Sequence, residues 1–288
     1  MNAEACNGGL DADEVRRVIS TALAEDLRYG PDATTAACVP AGAIATAAVS
    51  PRQPGTLAGL PVFLAVLDAV LAAGGYEIIE QRHDGDRLAT GDIALAVRAP
   101  VAGLLTAERT ALNVLCHLSG VATATAAWVA AVAGTGASIR DSRKTLPGLR
   151  VLQKYAVRCG GGVNHRMGLG DAVLIKDNHV AAAGSVTAAI AAVRSHAAAS
   201  PCEVEVGTLD ELEEALAAEV SLVLLDNMTV GQCAESVRRA AGSKTELEAS
   251  GGLTLDVARP YAETGVRYLS VGALTHSAAA LDLGLDLA

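Results

Sequence analysis

Apolar and polar positions along the first third of the chain predict a mixed α/β unit that begins with a helix. Between residues 11 and 26, apolar side chains recur at three- and four-residue steps with acidic residues near the start, as in a helix with one buried face. Segments 44–60 and 76–98 have the composition of strands interrupted by proline and glycine. Segment 61–73 between them is a predicted helix that a glycine pair closes.

A long helix follows, and beyond it the pattern becomes regular. The helix is predicted to begin with Thr106 as its N-cap, to run towards Trp128 and to end at Gly134. From residue 137 onward, short β-rich segments alternate with helical ones, and each strand–helix pair takes about 20–30 residues, which is typical of parallel βαβ units. The predicted strands are 172–175, 202–206, 221–225, 245–248 and 267–271, and the predicted helices are 186–196, 209–218, 230–241 and 255–264.

Each of these five predicted strands ends in a polar or glycine-containing group. The groups are Leu174-Ile175-Lys176, Val204-Glu205, Leu224-Leu225-Asp226, Glu248-Ala249-Ser250-Gly251 and Ser270-Val271-Gly272. For any single position, a turn or cap residue is an equally good explanation. Chemical groups gathered from the carboxyl ends of many strands favour a closed α/β barrel, whereas an open sheet concentrates them at one switch point. Taken together, the five strand ends predict a barrel.

Composition excludes a disordered chain and argues against a nucleic-acid-binding one. Hydrophobic residues make up 51% of the 288 positions and charged residues 19%, which is enough apolar surface for a globular core. The formal net charge is −10 and aromatic residues are 2%, whereas nucleic-acid binding needs a basic field and, for single strands, stacking rings. We therefore expect small-molecule ligands and no nucleic-acid partner.

No segment predicts a membrane span or a secretory signal. The longest strongly apolar run, 61–73, contains Asp68 and is shorter than the about 20 residues that cross a bilayer. The first nine residues contain Glu4 and no basic region before an apolar stretch. The six cysteines lie at least 31 residues apart without zinc-ligand spacing, which favours reduced, buried thiols. We expect a soluble, cytoplasmic protein without a membrane partner.

Basic residues are concentrated in one segment of this acidic chain. Residues 140–176 contain eight basic and two acidic residues, a local net charge of +6. This concentration favours a small, multiply charged anionic ligand. Arg150 and Lys154, four residues apart on a predicted helix, are well explained as a solvated face. Arg143 before a Pro-Gly turn and Arg166 within a glycine-rich loop suit carboxylates, because an arginine fork binds a carboxylate in a bidentate way.

Carboxylates and glycines at other strand ends complement these cations. Glu205 and Asp226 lie one strand–helix unit apart, and they could hold Mg²⁺ with a phosphate-bearing ligand or stabilise a developing positive charge. Structural salt bridging is the alternative for this pair. Ser250-Gly251 and Gly272 follow the last two predicted strands, where α/β barrels usually bind phosphate through loop amides.

Four motifs, in order along the chain, carry a family resemblance. They are Glu108-Arg109-Thr110-Ala111-Leu112-Asn113, Arg143-Lys144-Thr145-Leu146-Pro147-Gly148, Gly161-Gly162-Val163-Asn164-His165-Arg166 and Ile175-Lys176-Asp177-Asn178-His179. Together they resemble the quinolinate phosphoribosyltransferases, decarboxylating enzymes of NAD biosynthesis, over nearly the whole chain. Two small departures are Ser142, where threonine is usual, and Ala249, where a hydroxyl residue is common and its loss would remove a phosphate contact.

The resemblance implies an α/β fold of the type II phosphoribosyltransferase class. Its parts would be an N-terminal α/β sandwich domain (1–113), an incomplete seven-stranded α/β barrel (114–276) and a C-terminal tail (277–288) that packs back on the first domain. It further implies a homodimer, or a higher oligomer, with active sites at the subunit interface. The implied reaction joins phosphoribosyl pyrophosphate and quinolinate with loss of CO₂, and the implied cofactor is Mg²⁺.

The resemblance also implies roles for particular residues. Quinolinate would be bound by Ser142, Arg143, His165, Arg166 and Lys176, together with Arg109 of the neighbouring subunit. Phosphoribosyl pyrophosphate would be bound by Lys144, Glu205, Asp226, Ser250, Gly251, Gly272 and His276. The catalytic residues would be Lys144, Glu205, Asp226 and Lys176, and Mg²⁺ would be held, directly or indirectly, by Glu205 and Asp226.

Two other functions agree with the same residues. Lys176 at a strand end of a barrel could form a Schiff base with a carbonyl substrate, as in aldolases, because neighbouring cations favour the reactive amine. The chain could also be an anion-binding protein of the same fold without catalytic activity. Trapping with borohydride separates the first from a transferase, and binding of a dicarboxylate without turnover would identify the second.

Overall fold

The computed structural model describes residues 9–196 and 201–287, which form two compact units. The first unit contains the residues up to 126, 145–161 and those from 274 onward, and the second contains 127–144 and 162–273. The domain limits drawn from the sequence, at residues 113 and 276, stay a prediction. Cys6 and most of the segment in which no secretory signal is predicted lie outside the described residues.

The first unit combines an antiparallel sheet with helices. Its helices are α1 (Ala12–Asp26), α2 (Ala33–Cys38), α3 (Leu60–Leu71), α4 (Val101–Ala131, which continues into the second unit) and α5 (Arg150–Cys159). Its strands are β1 (Ile44–Pro51), β2 (Gly55–Thr56), β3 (Glu77–Gln81), β4 (Arg87–Leu88), β5 (Leu95–Pro100) and β12 (Leu283–Leu287). Four strands form a sheet in the order β12-β1-β5-β3, and β2 pairs with β4. The predicted α/β class of this region is confirmed.

Acidic side chains fix the starts of two of these helices. Asp11 is the N-cap of α1, and its carboxylate accepts the backbone N–H of Asp13 at 2.8 Å. At the start of α3, Asp84 accepts the N–H groups of Gly59 and Leu60 at 2.7 and 3.0 Å. The first cap is local, and the sequence pattern places it within one residue. The second comes from a segment more than twenty residues away in sequence, so no local pattern indicates it.

The prediction that α4 begins after Thr106 is wrong. The helix starts at Val101, directly after β5, and the N–H of Val101 donates to the backbone oxygen of Ala43 at 2.9 Å. Ala43 directly precedes β1, so the backbone beside the helix satisfies this N–H without a capping side chain. Within the described residues, α4 is the one helix long and apolar enough to cross a membrane. It packs instead as a core helix of the first unit, with Leu112 buried and Thr110 Oγ1 donating to Asp26 at 2.9 Å.

The second unit is a parallel sheet whose successive strands are mostly joined by helices. Its strands are β6 (Ser138–Arg140), β7 (Val173–Ile175), β8 (Cys202–Val206), β9 (Leu222–Asp226), β10 (Glu246–Ser250) and β11 (Tyr268–Ser270). Its helices are α6 (Asp177–Ala183), α7 (Val186–His196), α8 (Leu209–Ala217), α9 (Val230–Ala240) and α10 (Ala258–Ala262), and α11 (Ala273–His276) follows β11. The predicted alternation of strands and helices is confirmed. Segment 255–264 is not one helix but a 3₁₀ turn followed by α10, since Pro260 is tolerated only in the first turn of a helix.

The strand order confirms the predicted parallel sheet. The order is β6-β11-β10-β9-β8-β7, with every neighbouring pair parallel. Beyond β6, Val163 makes a single parallel bridge with Arg140. The N–H of Val163 donates to the backbone oxygen of Ile139 at 2.9 Å. The expected seventh strand is thus one bridged position, and the architecture is that of an incomplete barrel.

Two predictions about individual side chains are wrong. Lys154 on α5 is 0% exposed and does not lie on a solvated face. A four-residue spacing shows that Arg150 and Lys154 share a side of the helix, but it does not show which side faces the core. Among the described cysteines none forms a disulfide, as predicted, but Cys233 alone is fully buried and Cys38 is exposed.

Candidate active site

One face of the parallel sheet carries its polar side chains together with Leu222, Leu224 and Tyr268, and the other face carries apolar side chains. In a strand, side chains alternate between the two faces, and residues paired across parallel strands point to the same face. The register therefore places on one face the residues Arg140, Glu203, Glu205, Asp226, Glu248, Ser250 and Ser270. The buried residues of the opposite face are Ile139, Val204, Val206, Val223, Leu225, Leu247 and Leu269. Helices α7, α8, α9 and α10 pack on the strands, so the apolar face is the outer one and the polar face lines the interior.

Lys176 and Glu205 meet at the carboxyl ends of β7 and β8. The Lys176 ammonium group donates to Oε2 of Glu205. The Glu205 side chain is 14% exposed and that of Lys176 is 43% exposed, so this ion pair lies at the mouth of the interior and remains accessible to a ligand. The backbone N–H of Lys176 donates to Nδ1 of His179 at 2.9 Å, which fixes the start of α6 and gives His179 a structural role.

Arg143 and Arg166 lie close enough for their charges to interact. Burial, and after it the positive charge of Arg143, lowers the pKa of Arg166. Nη1 of Arg166 donates to the backbone oxygen of Ala172 at 3.0 Å, which orients the guanidinium group. Two neighbouring guanidinium groups form a strongly positive site, and a ligand with two carboxylates relieves their mutual repulsion.

A buried carboxylate holds the loop that carries Arg166. Oδ1 of Asp141 accepts the backbone N–H of His165 at 2.8 Å, and its Oδ2 accepts Nδ2 of Asn164 at 2.6 Å. The hydroxyl of Ser270 donates to the backbone oxygen of Asp141 at 3.1 Å. Sequence reasoning missed this role of Asp141. Its only signal is an acidic residue directly after a strand inside a basic segment.

The two departures from the family pattern have different structural settings. The Ser142 hydroxyl accepts the backbone N–H of Lys144 at 3.0 Å, a turn contact that a threonine hydroxyl could equally make. Ala249 is fully buried on the outer, apolar face beside Leu225, whereas Ser250 points to the interior. The expectation that alanine at this position removes a phosphate contact is therefore wrong.

The loops after β9 and β10 approach each other closely at Gly251. Its φ is +99°, and a Cβ atom there would lie 2.2 Å from Oδ1 of Asn227. The N–H of Asn227 donates to the backbone oxygen of Ser250 at 2.9 Å, and its Nδ2 donates to Oδ2 of Asp226 at 2.7 Å. Glycine is required here because only it fits this backbone and this spacing. The phosphate-binding role of Ser250, Gly251 and Gly272 stays a prediction.

Two predicted site residues belong to the first unit. Arg109 on α4 has a side chain that is 66% exposed, with Nη2 4.0 Å from Oε1 of Glu108. His276 is exposed and its Nδ1 contacts the hydroxyl of Ser277. The second unit contains the other predicted site residues: Ser142, Arg143, Lys144, His165, Arg166, Lys176, Glu205, Asp226, Ser250, Gly251 and Gly272.

A buried group of charged residues, which we call the inner cluster, lies on the same polar face. It consists of Arg140, His165, Glu203 and Glu248. Nη1 of Arg140 donates to Oε2 of Glu248 and lies 4.0 Å from Oε2 of Glu203. Nε2 of His165 lies 2.9 Å from the same Glu203 oxygen. Burial, and then the charge of Glu203, raises the pKa of Glu248. Sequence reasoning missed Glu203 and noted Glu248 only as part of a strand-end group, although their alternation with buried apolar residues in β8 and β10 was a usable signal.

A helix-covered parallel barrel with cations and carboxylates at the carboxyl ends of its strands defines an enzyme class that acts on small anionic substrates. Family models narrow this class. Residues 32–119 match the quinolinate phosphoribosyl transferase N-terminal domain, and residues 121–286 match the C-terminal domain of the same family. The chain belongs to the quinolinate phosphoribosyltransferase family, and the resemblance seen in the four motifs is confirmed.

Individual relatives agree with this assignment. The chain is 58% identical over 277 residues to the nicotinate-nucleotide pyrophosphorylase (carboxylating) of Mycobacterium leprae, covering 96% of this chain and 98% of the relative. The crystal structure of NadC from Streptococcus pyogenes is similar with a TM-score of 0.91 at 41% identity, covering 97% of this chain and 99% of that one. The nicotinate-nucleotide pyrophosphorylase structure from Francisella tularensis gives a TM-score of 0.90 at 35% identity, with coverages of 97% and 98%.

Proposed function

We propose that the chain transfers the phosphoribosyl group of phosphoribosyl pyrophosphate to the ring nitrogen of quinolinate, with decarboxylation, in the biosynthesis of NAD. The products are nicotinate mononucleotide, pyrophosphate and CO₂. Family membership over both domains supports the reaction. The structural observation that carries it is the pairing of Lys176 with Glu205 at the mouth of a barrel interior that also presents Asp226.

Quinolinate is recognised by positive charge. Its two adjacent carboxylates repel each other, so binding both requires several cations at fixed positions. Arg143 and Arg166 supply the neighbouring guanidinium groups, and Lys176 supplies an ammonium group that Glu205 holds at the mouth of the interior. In this proposal Lys176 exchanges part of its contact with Glu205 for a carboxylate of the bound ligand.

The carboxylates of Glu205 and Asp226 act on the ribose of phosphoribosyl pyrophosphate. As pyrophosphate leaves, positive charge develops on the ribose ring, and Glu205 and Asp226 on the interior face can stabilise it. Asn227 donates to Asp226 and holds its carboxylate in place. Lys144 offsets negative charge on the leaving pyrophosphate. Once the sugar is attached, the positive charge on the ring nitrogen stabilises the carbanion that remains on the adjacent ring carbon when the carboxylate departs as CO₂, and a proton from water then completes nicotinate mononucleotide.

Magnesium fits the donors at the mouth of the interior. Glu205 and Asp226 lie near the carboxyl ends of neighbouring strands on one face, and Mg²⁺ typically binds one or two carboxylates together with substrate phosphates. We propose that these two carboxylates hold Mg²⁺ directly or through the sugar hydroxyls and water. When bound, the ion would neutralise part of the negative charge of the pyrophosphate group.

The reaction is tested with purified protein, quinolinate, phosphoribosyl pyrophosphate and Mg²⁺. We expect CO₂ and nicotinate mononucleotide to form in equal amounts, and we expect no CO₂ when nicotinate replaces quinolinate.

Arg143→Ala should weaken quinolinate binding about 30-fold or more, because a charged hydrogen-bond partner of a carboxylate contributes about 2 kcal/mol. Arg238→Ala is the matched control, since that arginine is exposed on α9. Absence of coupled products from the wild-type protein would refute the proposed reaction.

The same preparation separates the two other functions. A Schiff-base enzyme would lose activity when borohydride traps a carbonyl substrate on Lys176, whereas a transferase would not form this adduct. Lys176 is already engaged in an ion pair with Glu205, whereas a Schiff-base lysine needs a free amine to attack the carbonyl. A binding protein without catalysis would give calorimetric binding of quinolinate and no CO₂.

We further propose a cytoplasmic homodimer in which Arg109 of one subunit completes the quinolinate site of the other. The exposed position of Arg109 on α4 leaves its guanidinium group accessible to a second copy of the chain. The mass of the protein in solution tests the dimer, and mixing of two inactive variant subunits tests the shared site.

A further inference from the structure

His165 uses both ring nitrogens within the second unit. Its Nδ1 accepts the backbone N–H of Arg166 at 2.7 Å, and its Nε2 lies 2.9 Å from Oε2 of Glu203. A backbone N–H can only donate a hydrogen bond, so Nδ1 carries a lone pair and the proton of the ring is on Nε2. His165 is therefore a neutral imidazole that accepts from Arg166 and donates to Glu203.

This arrangement differs from a direct contact between His165 and quinolinate. The residue is 8% exposed, and neither ring nitrogen has a further N–H to offer. A ligand carboxylate could take the Nε2 proton only by displacing Glu203. A buried carboxylate that loses its donor costs about 1–3 kcal/mol or more, so this exchange is unfavourable.

Glu203 lies within the inner cluster, where its Oε2 is close to His165 and its Oε1 is buried without a hydrogen-bond partner among the described residues. Arg140 bonds to Glu248 and lies 4.0 Å from Glu203, and its guanidinium group stacks over the ring of Tyr268 at 4.8 Å. The strands β6, β8, β10 and β11 supply these four side chains, so the group that faces His165 is built on the sheet and not on a loop. Glu203 therefore provides a fixed acceptor for the imidazole.

The tautomer of His165 does not suit a metal ion at the inner cluster. Ligand atoms of His165, Glu203 and Glu248 lie within 4.8 Å of one another, which is a spacing that a metal ion could bridge. Metal binding at Nε2, however, needs the proton on Nδ1, where it would point at the N–H of Arg166. Arg140 already supplies the positive charge next to Glu248. The cluster is thus suited to hold a histidine tautomer.

The group at the other end of this chain of contacts is Arg166. His165 fixes its backbone N–H, and Ala172 accepts from its Nη1 at 3.0 Å, so both ends of the residue are tied. The charge of Arg143 acts on the guanidinium group of Arg166, and this like charge would push an untethered side chain away. Small displacements of a positioning group have large effects on bound geometry.

We propose that Glu203 and His165 form a positioning chain that sets the backbone of Arg166 for a dicarboxylate, so that His165 acts through Arg166 and does not bind the substrate. The proposal rests on the proposed function, because it explains how that function's dicarboxylate site is held. Glu203 fixes the tautomer, the tautomer provides the acceptor at Nδ1, and this acceptor fixes Arg166.

Two substitutions of His165 distinguish the roles of its two ring nitrogens. An asparagine oxygen can occupy the place of Nδ1 and accept the Arg166 N–H, as Asp177 Oδ1 does for the N–H of Asn178 in this chain. A glutamine amide reaches the place of Nε2 and can donate to Glu203. We expect the quinolinate KM to rise about 10-fold in His165→Gln and about 3-fold or less in His165→Asn, from the loss of one hydrogen bond. The KM for phosphoribosyl pyrophosphate should change little in both.

A spectroscopic measurement provides a readout independent of activity. In the wild-type protein at neutral pH, the imidazole ¹⁵N shifts of His165 should show protonated Nε2 and unprotonated Nδ1. Glu203→Gln keeps an acceptor for Nε2 and should retain this tautomer, whereas Glu203→Ala should lose it and raise the quinolinate KM. Thermal unfolding of each variant separates loss of stability from the KM change.

Several results would overturn the proposal. One is an imidazolium at His165 in the wild-type protein at neutral pH. Another is a rise of the quinolinate KM in His165→Gln that is no larger than in His165→Asn, because a direct contact through Nε2 predicts the smaller rise in the glutamine variant and a merely structural role predicts equal rises. Failure of the proposed function is distinct from both, because the wild-type protein would then release no CO₂ from quinolinate.

Discussion

Asp171 is a single exposed side chain that orders the loop following Arg166. Its Oδ2 accepts the backbone N–H of Met167 at 2.6 Å, and its Oδ1 accepts that of Gly168 at 2.8 Å. These backbone hydrogen bonds, Met167 first, lower the pKa of Asp171 despite some desolvation. The loop thus depends on one ionised carboxylate that composition alone presents as an ordinary acidic residue.

We predict that this loop loosens in acid. The pKa of Asp171 is lower in the folded loop than in the unfolded chain, so its stabilisation is present above the unfolded value of about 3.9 and is lost as the pH falls through the lower folded value. Amide NMR shifts of Met167 and Gly168 should titrate with a midpoint below about 3.9. In Asp171→Asn the same amides should exchange faster at neutral pH and show no such titration. A midpoint above the unfolded value would contradict the assigned contacts.

At the scale of elements, the ends of β9 and β10 depend on one close contact. Asn227, at a φ of +54°, lies against Gly251, and it connects the oxygen of Ser250 with the carboxylate of Asp226. These two strand ends carry groups that the proposed reaction uses. Their spacing is therefore set by a glycine and an asparagine that carry no charge of their own.

We predict that Gly251→Ala destabilises the protein by about 2 kcal/mol or more, because the added Cβ collides with Asn227 and the backbone angle is strained. Gly252→Ala is the matched control in the same loop, with a φ of +58° and no atom within 4 Å of the added Cβ. It should cost only about 1 kcal/mol from its backbone angle. Urea unfolding measures both free energies. Equal losses would show that the collision with Asn227 is relieved without cost.

Element boundaries were less predictable than element types. Hydrophobic periodicity indicated α7 at its observed limits and the alternation of strands and helices. It did not indicate that α4 starts at Val101, because the acceptor of that N–H is Ala43, which precedes β1 and is far away in sequence. It also did not indicate that the segment around Pro260 consists of a 3₁₀ turn followed by the short helix α10.

At the scale of the whole molecule, the proposed shared site gives a mixing experiment. Subunits with Arg109→Ala and subunits with Lys176→Ala should each be inactive alone. After mixing and exchange, up to about a quarter of wild-type activity should return, because half of the mixed dimers' sites carry both intact residues. The assay is release of CO₂ from quinolinate.

Exchange of subunits must be demonstrated separately, for example by mass spectrometry of differently labelled chains. Mixing two preparations of the Lys176→Ala variant is the control, and it should restore nothing. If activity does not return although exchange of subunits is proven, Arg109 and Lys176 belong to the site of one chain. The dimer would then have no part in binding quinolinate.

The sequence by itself determined the fold class, the family and the motif residues at the strand ends. These follow from local patterns: apolar periodicity, the polar group after each strand, and the basic motifs that include Arg143 and Arg166. Tertiary structure alone decided the partners of buried polar groups. Lys154 is buried, Ala249 faces outward, and Glu203 and Glu248 meet Arg140 inside the barrel. The physical reason is that a hydrogen bond or ion pair joins groups far apart in sequence, and only the packed sheet brings them within reach.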